Sequence, residues 1–322
     1  MPRRYAFVMD PLDRILPDKD TTFVFMLEAQ RRGEEVYYLG PEHLFVEGGT
    51  PHARAWRCEV RRATPHYTLH EERTGELAWF DAVFMRKDPP FDLPYYFATQ
   101  ILGLVDPART FVLNDPRGLR EANEKLYALH FPDLVPPTLV SREIPRLKAF
   151  LDAVGGEMIV KPLDGCGGSG VFYLRRGDKN VNVLLETATA NETRWTMAQK
   201  YLPEAREGDK RIVLLDGEPL GATLRVPAED EHRGNIHVGG RCVRTELTER
   251  DRAICARLRD RLKADGLYFV GLDVIGGWLT EVNVTSPTGV QEIDRLEGVE
   301  LERAVLDFVE EKVRRPSARG RT

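Results

Sequence analysis

The 322-residue chain carries 46 basic and 51 acidic side chains for a formal charge of -5, with 42% apolar and 30% charged residues, an ordinary globular composition. The acidic balance argues against a nucleic-acid partner, and no 18-residue apolar stretch could span a membrane. The length allows two or three subdomains, and the opening apolar run, halted at Asp10, is too short for a secretion signal, so a cytoplasmic setting is expected.

The spacing predicts a strand at Tyr5 to Met9, a helix from about Thr22 to Arg32 stopped by Gly33, and a strand at Val36 to Leu39. Strands at Ala82 to Arg86 and Thr110 to Leu113, with a helix from about Tyr95 to Leu104 between them, complete a βαβ-type layer. The stretch from Gly48 to Gly75 reads as polar and irregular, and no element is predicted there. From about Asn123 a helix is expected, then a strand at Thr138 to Val140, a helix near Ile144 to Val154 and a strand at Met158 to Lys161, which opens a second subdomain. Further strands are predicted at Thr196 to Leu202, Arg211 to Leu215 and Leu220 to Val226, before a loop from Pro227 to Arg241 whose Gly234, Gly239 and Gly240 suggest a lid. Thr248 and Asp251 form a capping box for a helix whose Ile254, Leu258 and Leu262 repeat every four residues and so belong to the core. The resulting division is 1–122, 123–200 and 201–314, with a solvated, disordered tail at 315–322. Cysteines 58, 166, 242 and 255 and the seven histidines are scattered, without zinc-ligand spacing, so free thiols are expected.

Two segments carry chemistry. Lys161-Pro162-Leu163-Asp164-Gly165-Cys166-Gly167-Gly168-Ser169-Gly170 contains a GxGxxG, yet β-branched and aromatic residues follow it, Val171 to Leu174. A dinucleotide fingerprint needs a helix there, so strand, glycine loop and strand instead suggest a flap whose N–H groups cover phosphates, with Lys161 reaching them. A plain glycine-rich turn beside a surface lysine remains the alternative. In the second segment, Val270 to Val284, Glu281 and Asn283 share one strand face while Val282 and Val284 take the other. With Asp273 on the same face, two carboxylates ~5 Å apart would repel by roughly 3 kcal/mol at an effective dielectric near 20, so a cation is required. Asp, Glu and an amide carbonyl are hard oxygen donors suited to Mg²⁺. An ordinary hairpin with a polar outer face is the competing reading.

The order of Asn123-Glu124-Lys125, Lys161 to Gly165, Met197-Ala198-Gln199-Lys200-Tyr201-Leu202-Pro203, Gly208-Asp209-Lys210-Arg211, Gly271-Leu272-Asp273 and Glu281 to Thr288 resembles the ATP-grasp fold. Met9-Asp10-Pro11, Glu28 to Gly33 and Met85 to Phe91 are similar to bacterial glutathione synthetase in particular. The resemblance implies an α/β protein with an N-terminal Rossmann-like domain before the ATP-grasp unit. It further implies that ATP phosphorylates γ-glutamylcysteine to an acyl phosphate, which the amine of glycine attacks.

By that resemblance Lys125 and Lys161 hold phosphates under the flap of Gly167, Gly168 and Ser169. Gln199, Tyr201 and Leu202 hold adenine, and Asp209 takes the ribose. Of the catalytic arginines, Arg211 stabilises the transferred phosphoryl group, Arg225 meets a substrate carboxylate or backbone, and Arg233 closes over the acyl phosphate with its loop. Arg86 and Ser286 contact substrate, while Asp273, Glu281 and Asn283 hold two Mg²⁺, with Mn²⁺ as a substitute. A homotetramer is implied as well. The pattern departs at Gly48 to Gly75, at Cys166 and after Val313. A ligase for a different dipeptide or amino acid pair is the rival enzyme, and an ATP-binding regulatory relative is the rival outside enzymes.

Register decides whether the metal face exists. A two-residue Gly276-Gly277 turn would set Ile275 opposite Trp278 and Asp273 opposite Thr280, placing Asp273 and Glu281 on opposite faces. A three-residue loop, Gly276 to Trp278, closed with a glycine-assisted bulge, would set Ile275 opposite Leu279, Asp273 opposite Glu281 and Gly271 opposite Asn283, with Gly271 leaving room for an ion. The longer loop is therefore expected.

Overall fold

A computed structural model describes residues 1–165, 167–227 and 240–314. The first part of the chain forms β1 (Arg4–Val8), α1 (Thr21–Arg31), β2 (Glu35–Leu39), β3 (Leu44–Glu47), β4 (Thr50–Val60), β5 (Tyr67–Glu76), β6 (Ala82–Met85), α2 (Leu93–Leu102), β7 (Phe111–Leu113) and α3 (Pro116–Glu121). Its sheet runs in the order β3-β4-β2-β1-β6-β7, with β5 added on β4. Strand β1 pairs in parallel with β2 on one side and β6 on the other. The chain thus reverses its winding between β1 and β6, and the loops beyond their carboxyl ends open a crevice of the kind where α/β sheets bind ligands. Because β1 is covered on both faces, Tyr5, Ala6, Phe7 and Val8 are all fully buried, which explains a continuous rather than alternating apolar run.

The region from Gly48 to Gly75 is ordered strand, contrary to its irregular reading. Strands β4 and β5 form a long antiparallel ribbon. Its buried face is made of Pro51, Ala53, Ala55, Cys58 and Val60, small side chains that give a weak apolar signal. A register shift between Trp56 and Cys58 interrupts the alternation, and most of β5 is exposed and therefore polar.

The second sheet holds β8 (Thr138–Ser141), β9 (Glu157–Pro162), β10 (Phe172–Arg175) and β11 (Thr196–Lys200), in the order β10-β9-β11-β8, backed by α4 (Ile144–Ala153) and α5 (Val181–Thr189). The helix expected from Asn123 is absent; α3 ends before it, and a 3-10 turn at Tyr127–His130 follows. The third sheet, β14-β13-β12-β15-β16, contains β12 (Asp209–Leu215), β13 (Glu218–Val226), β14 (Arg241–Arg244), β15 (Phe269–Ile275) and β16 (Trp278–Asn283). Helix α6 (Glu249–Ala264) starts at the expected Thr248 and Asp251 capping box and buries Ile254, Leu258 and Leu262.

Helices α7 (Val290–Glu297) and α8 (Leu301–Arg314) close the described chain. Val305, Leu306 and Val309 of α8 join Phe25, Phe84 and Phe269 in one core cluster, so the end of the chain seals the first sheet. Ion pairs from Arg32 to Asp307 and Glu310 fasten α8 to the end of α1. Among the described residues no helix is long and apolar enough to cross a membrane.

The β15–β16 hairpin corrects the register argument in an instructive way. Ile275 pairs with Trp278, so the turn is the short Gly276-Gly277 one, with both glycines at positive φ (55° and 78°). Asp273 nevertheless pairs with Glu281 and Gly271 with Asn283, because the ladder shifts between Asp273 and Val274. Thr280 is the extra residue. The odd count that pairs Asp273 with Glu281 is supplied by a bulge within the strand rather than by a longer loop.

Candidate active site

A cavity of about 390 Å³ lies between the second and third sheets and reaches the loop after β6. Its walls bring together Lys125, Lys161, Gly167, Gly168, Ser169, Gln199, Tyr201, Leu202, Asp209, Arg211, Arg225, Asp273, Glu281, Asn283 and Ser286, all anticipated from the sequence.

The basic side of the site grows from β9 and from the segment before it. Lys161, paired with Met197 in the ladder, is buried, and its ammonium donates to the carbonyl of the bulge residue Thr280 at 3.0 Å. Burial lowers its pKa, with Glu281 pulling the other way. The Lys125 ammonium reaches the Gly165 carbonyl at 2.6 Å and Glu281 at 2.9 Å, so one lysine joins the base of the flap to the acidic strand. Gly167, Gly168 and Gly170 all take positive φ, a backbone that leaves N–H groups free of Cβ interference. Ile159, Val171, Leu202 and Ile275, with Pro136 and Tyr201, supply the apolar part of the lining. The Gln199 side chain donates to the Thr138 hydroxyl at 3.0 Å.

The acidic side is a charge-matched cluster. Arg211 grips Asp273 through two nitrogens, at 2.6 and 3.3 Å, and donates to the Thr288 carbonyl at 3.0 Å. Arg225 pairs with Asp273 at 3.0 Å and also with Asp209. These contacts follow from register, since Arg211 stands opposite Asp273 on β15 and Asp209 opposite Arg225 on β13. Burial alone would raise the Asp273 carboxyl, but the two guanidiniums hold it well below the usual carboxylate range. Asp209 goes the other way: burial outweighs Arg225 and pushes its carboxyl up to about 6, with Asp273 adding repulsion.

Gly271 does not make room for an ion. A Cβ there would come within 3.2 Å of the Arg211 side chain and 3.0 Å of Pro287, so the glycine admits the arginine.

Arg86 is not brought to the cavity wall. It is buried near the rings of Phe25 and Phe269, donates to the Thr22 hydroxyl at 3.1 Å and holds the Pro287 carbonyl at 2.9 Å. It therefore orients the Ser286 to Thr288 segment from behind. Arg233, the lid from Pro227 to Arg241 apart from its ends, Cys166 and the tail fall outside the described residues.

In the sequence Glu124 stands out only as the neighbour of Lys125. Its carboxylate accepts from the Val284 N–H at 2.8 Å, the Thr285 N–H at 3.0 Å and the Thr285 hydroxyl at 2.9 Å. Asn114 adds a second brace, with its amide bonded to Phe269 and to the Val284 carbonyl. Both hold the end of the strand that carries Glu281 and Asn283. Adjacency to Lys125 was the available signal for Glu124, and Asn114 had none.

Two family models cover nearly the whole chain: the N-terminal domain of prokaryotic glutathione synthetase matches residues 4–120 and its ATP-grasp domain residues 124–298. The chain belongs to the prokaryotic glutathione synthetase family. The glutathione synthetase of Gloeobacter violaceus is 50% identical, over 98% of this chain and 99% of that protein. That of Synechocystis sp. is 46% identical, over 96% and 99%. Among solved structures, the D-cycloserine synthetase DcsG superposes with a TM-score of 0.66 at 17% identity, covering 95% of this chain and 99% of that one. The ATP-grasp ligase PsnB in complex with precursor peptide and AMPPNP gives a TM-score of 0.62 at 17% identity, covering 97% and 98%. These structural likenesses establish the ATP-grasp fold for the family's architecture here.

Proposed function

We propose that the chain joins glycine to γ-L-glutamyl-L-cysteine with ATP, releasing glutathione, ADP and phosphate. The observation that carries this reading is the convergence, in one cavity of a glutathione synthetase family member, of two buried lysines, a glycine flap, two arginines and three hard oxygen donors on the paired strands of one hairpin.

In this reading the nucleotide's base lies against Ile159, Val171, Leu202 and Ile275. Gln199, Tyr201 and Leu202 border it, and Asp209 receives the ribose. Lys125 and Lys161 meet the phosphates under Gly167, Gly168 and Ser169. Arg211 and Arg225, fixed in place by Asp273, face the oxygens of the transferring phosphoryl group. Pre-positioned cations of this kind lower the barrier without reorganising as charge moves. No protein nucleophile is required, since the cysteinyl carboxylate takes the phosphoryl group and the glycine amine displaces phosphate. Ser286 faces the dipeptide, and Arg86 acts through Pro287. Arg233 is assigned to the acyl phosphate on resemblance alone.

Asp273, Glu281 and Asn283 suit a hard divalent cation. Among the described residues no three His, Cys, Asp or Glu side chains form a ligand group, so the donor set depends on Asn283. Its amide nitrogen bonds the Gly271 carbonyl at 3.2 Å, leaving the amide oxygen as donor. Mg²⁺, or Mn²⁺ in its place, would neutralise phosphate charge there. The division at 122, 200 and 314 belongs to the same reading and is supported by the three separate sheets. Cytoplasmic residence and a homotetramer complete it, and a monomer in light scattering would remove the tetramer.

Phosphate release measured with ATP and Mg²⁺ or Mn²⁺ across dipeptides and amino acids tests the assignment. Release should require both γ-glutamylcysteine and glycine. Robust turnover with D-alanine alone, or with glutamate as acceptor, would overturn it.

A further inference from the structure

Five carboxylates line the cavity: Asp88, Glu124, Asp209, Asp273 and Glu281. Four of them are already committed. Glu124 accepts three hydrogen bonds from Val284 and Thr285, Asp209 pairs with Arg225, Asp273 with Arg211 and Arg225, and Glu281 with Lys125. Asp88 differs. Its side chain is exposed and makes no hydrogen bond or ion pair among the described residues.

The backbone around Asp88 is held while its side chain is left available. Asp10, just past β1, accepts from the Asp88 N–H at 2.8 Å. The neighbouring ammonium of Lys87 is engaged by Asp10 at 2.9 Å and by the Asp88 carbonyl at 2.8 Å, so it does not neutralise the Asp88 side chain. Arg86, which feels the field of Asp88, is buried and bonded to Thr22 and Pro287. Both loops that fix Asp88 leave the carboxyl ends of β1 and β6, the reversal point of the first sheet.

Its position along the cavity follows from the Ser286 to Thr288 segment. Arg86 holds the carbonyl of Pro287, and Arg211 holds the carbonyl of the next residue, Thr288. This segment therefore joins the phosphoryl-transfer arginines to the loop carrying Asp88. A substrate whose carboxylate is phosphorylated beside Arg211 would extend its other end toward that loop.

Resting on the reading of γ-glutamylcysteine as substrate, we propose that Asp88 binds the α-ammonium of its γ-glutamyl head. That head carries the dipeptide's only cationic group, at the end remote from the reacting carboxylate. A free carboxylate on a braced loop complements it. Each of the cavity's remaining acids already faces a cation or N–H donors within the protein, so Asp88 discriminates dipeptides with the free amine from acyl analogues without it.

The test compares γ-glutamylcysteine with N-glutarylcysteine, which lacks only the α-amino group, in the wild type and in Asp88→Asn. The wild type should favour the amine-bearing substrate by roughly 10- to 100-fold in kcat/KM, the range for a hydrogen bond between charged groups. In Asp88→Asn that preference should fall to within about threefold, with the KM values for ATP and glycine unchanged, which also reports a folded protein. An undiminished preference in the variant, or a rise in glycine KM without one for the dipeptide, would overturn the assignment. Failure of the wild type to turn over γ-glutamylcysteine at all would instead overturn the substrate reading on which it rests.

Discussion

Replacing Glu124 by alanine should loosen the strand end that presents Glu281, Asn283 and Ser286, and the structure gives the size of the effect. The carboxylate is the acceptor for the N–H groups of Val284 and Thr285, residues that are 0% and 3% exposed, so water cannot readily replace it. Leaving a buried donor unsatisfied costs about 1–3 kcal/mol, so two of them cost at least about 2 kcal/mol locally. That corresponds to roughly 30-fold faster amide exchange. Hydrogen exchange read on the peptide from Glu281 to Thr288 provides the assay, with peptides from the first sheet as controls. Glu124→Gln keeps an acceptor oxygen at the same place and should accelerate exchange by less than about tenfold. Burial, and then the nearby Glu281, raise the Glu124 carboxyl above its usual range, so losing its charge is a smaller perturbation than losing its oxygen. Exchange in Glu124→Ala within about threefold of the wild type would refute the bracing argument.

Lys161→Ala should weaken ATP binding and reduce turnover by at least about tenfold, measured by nucleotide titration and phosphate release, and unchanged values in a folded variant would remove the phosphate role. Gly118→Ala should destabilise by about 1–3 kcal/mol, because the new Cβ would lie 2.1 Å from the backbone oxygen of Asp265; an unaltered melting temperature would show that α3 can shift freely. Asp294 is pushed up to about 7, first by burial and then by hydrogen-bonded Glu302, so its stabilising effect is complete below pH ~4 and is lost as pH rises through about 7. Asp294→Asn should therefore melt higher than the wild type at pH 8 and alike at pH 4, and equal melting at both would contradict the shift.

Local pattern was enough for most elements and for most of the side chains that converge in the cavity. The apolar run of β1, the capping box of Thr248 and Asp251, and the strand following the glycine loop each obey rules that act within a few residues. Lysines, a glycine flap and alternating oxygen donors are likewise legible because phosphate and hard cations constrain residue type directly. The β4–β5 ribbon was not legible, since alanine, cysteine and proline on its inner face bury little area each and a bulge breaks their alternation.

Other features depend on contacts between distant segments. The pairing of Asp273 with Glu281 was inferred correctly, yet its cause was not: the extra residue is Thr280 within β16, whose carbonyl receives Lys161 from the other sheet. A bulge and a longer turn satisfy the same parity, and only the partner on the facing sheet distinguishes them. Arg86 illustrates the same limit. The resemblance implied a substrate contact, whereas the folded chain sets it near the rings of Phe25 and Phe269 and has it hold Pro287. Which cations and carboxylates are already paired is decided by tertiary packing, because the partners lie on different strands and sheets, and no spacing along the chain records their distance.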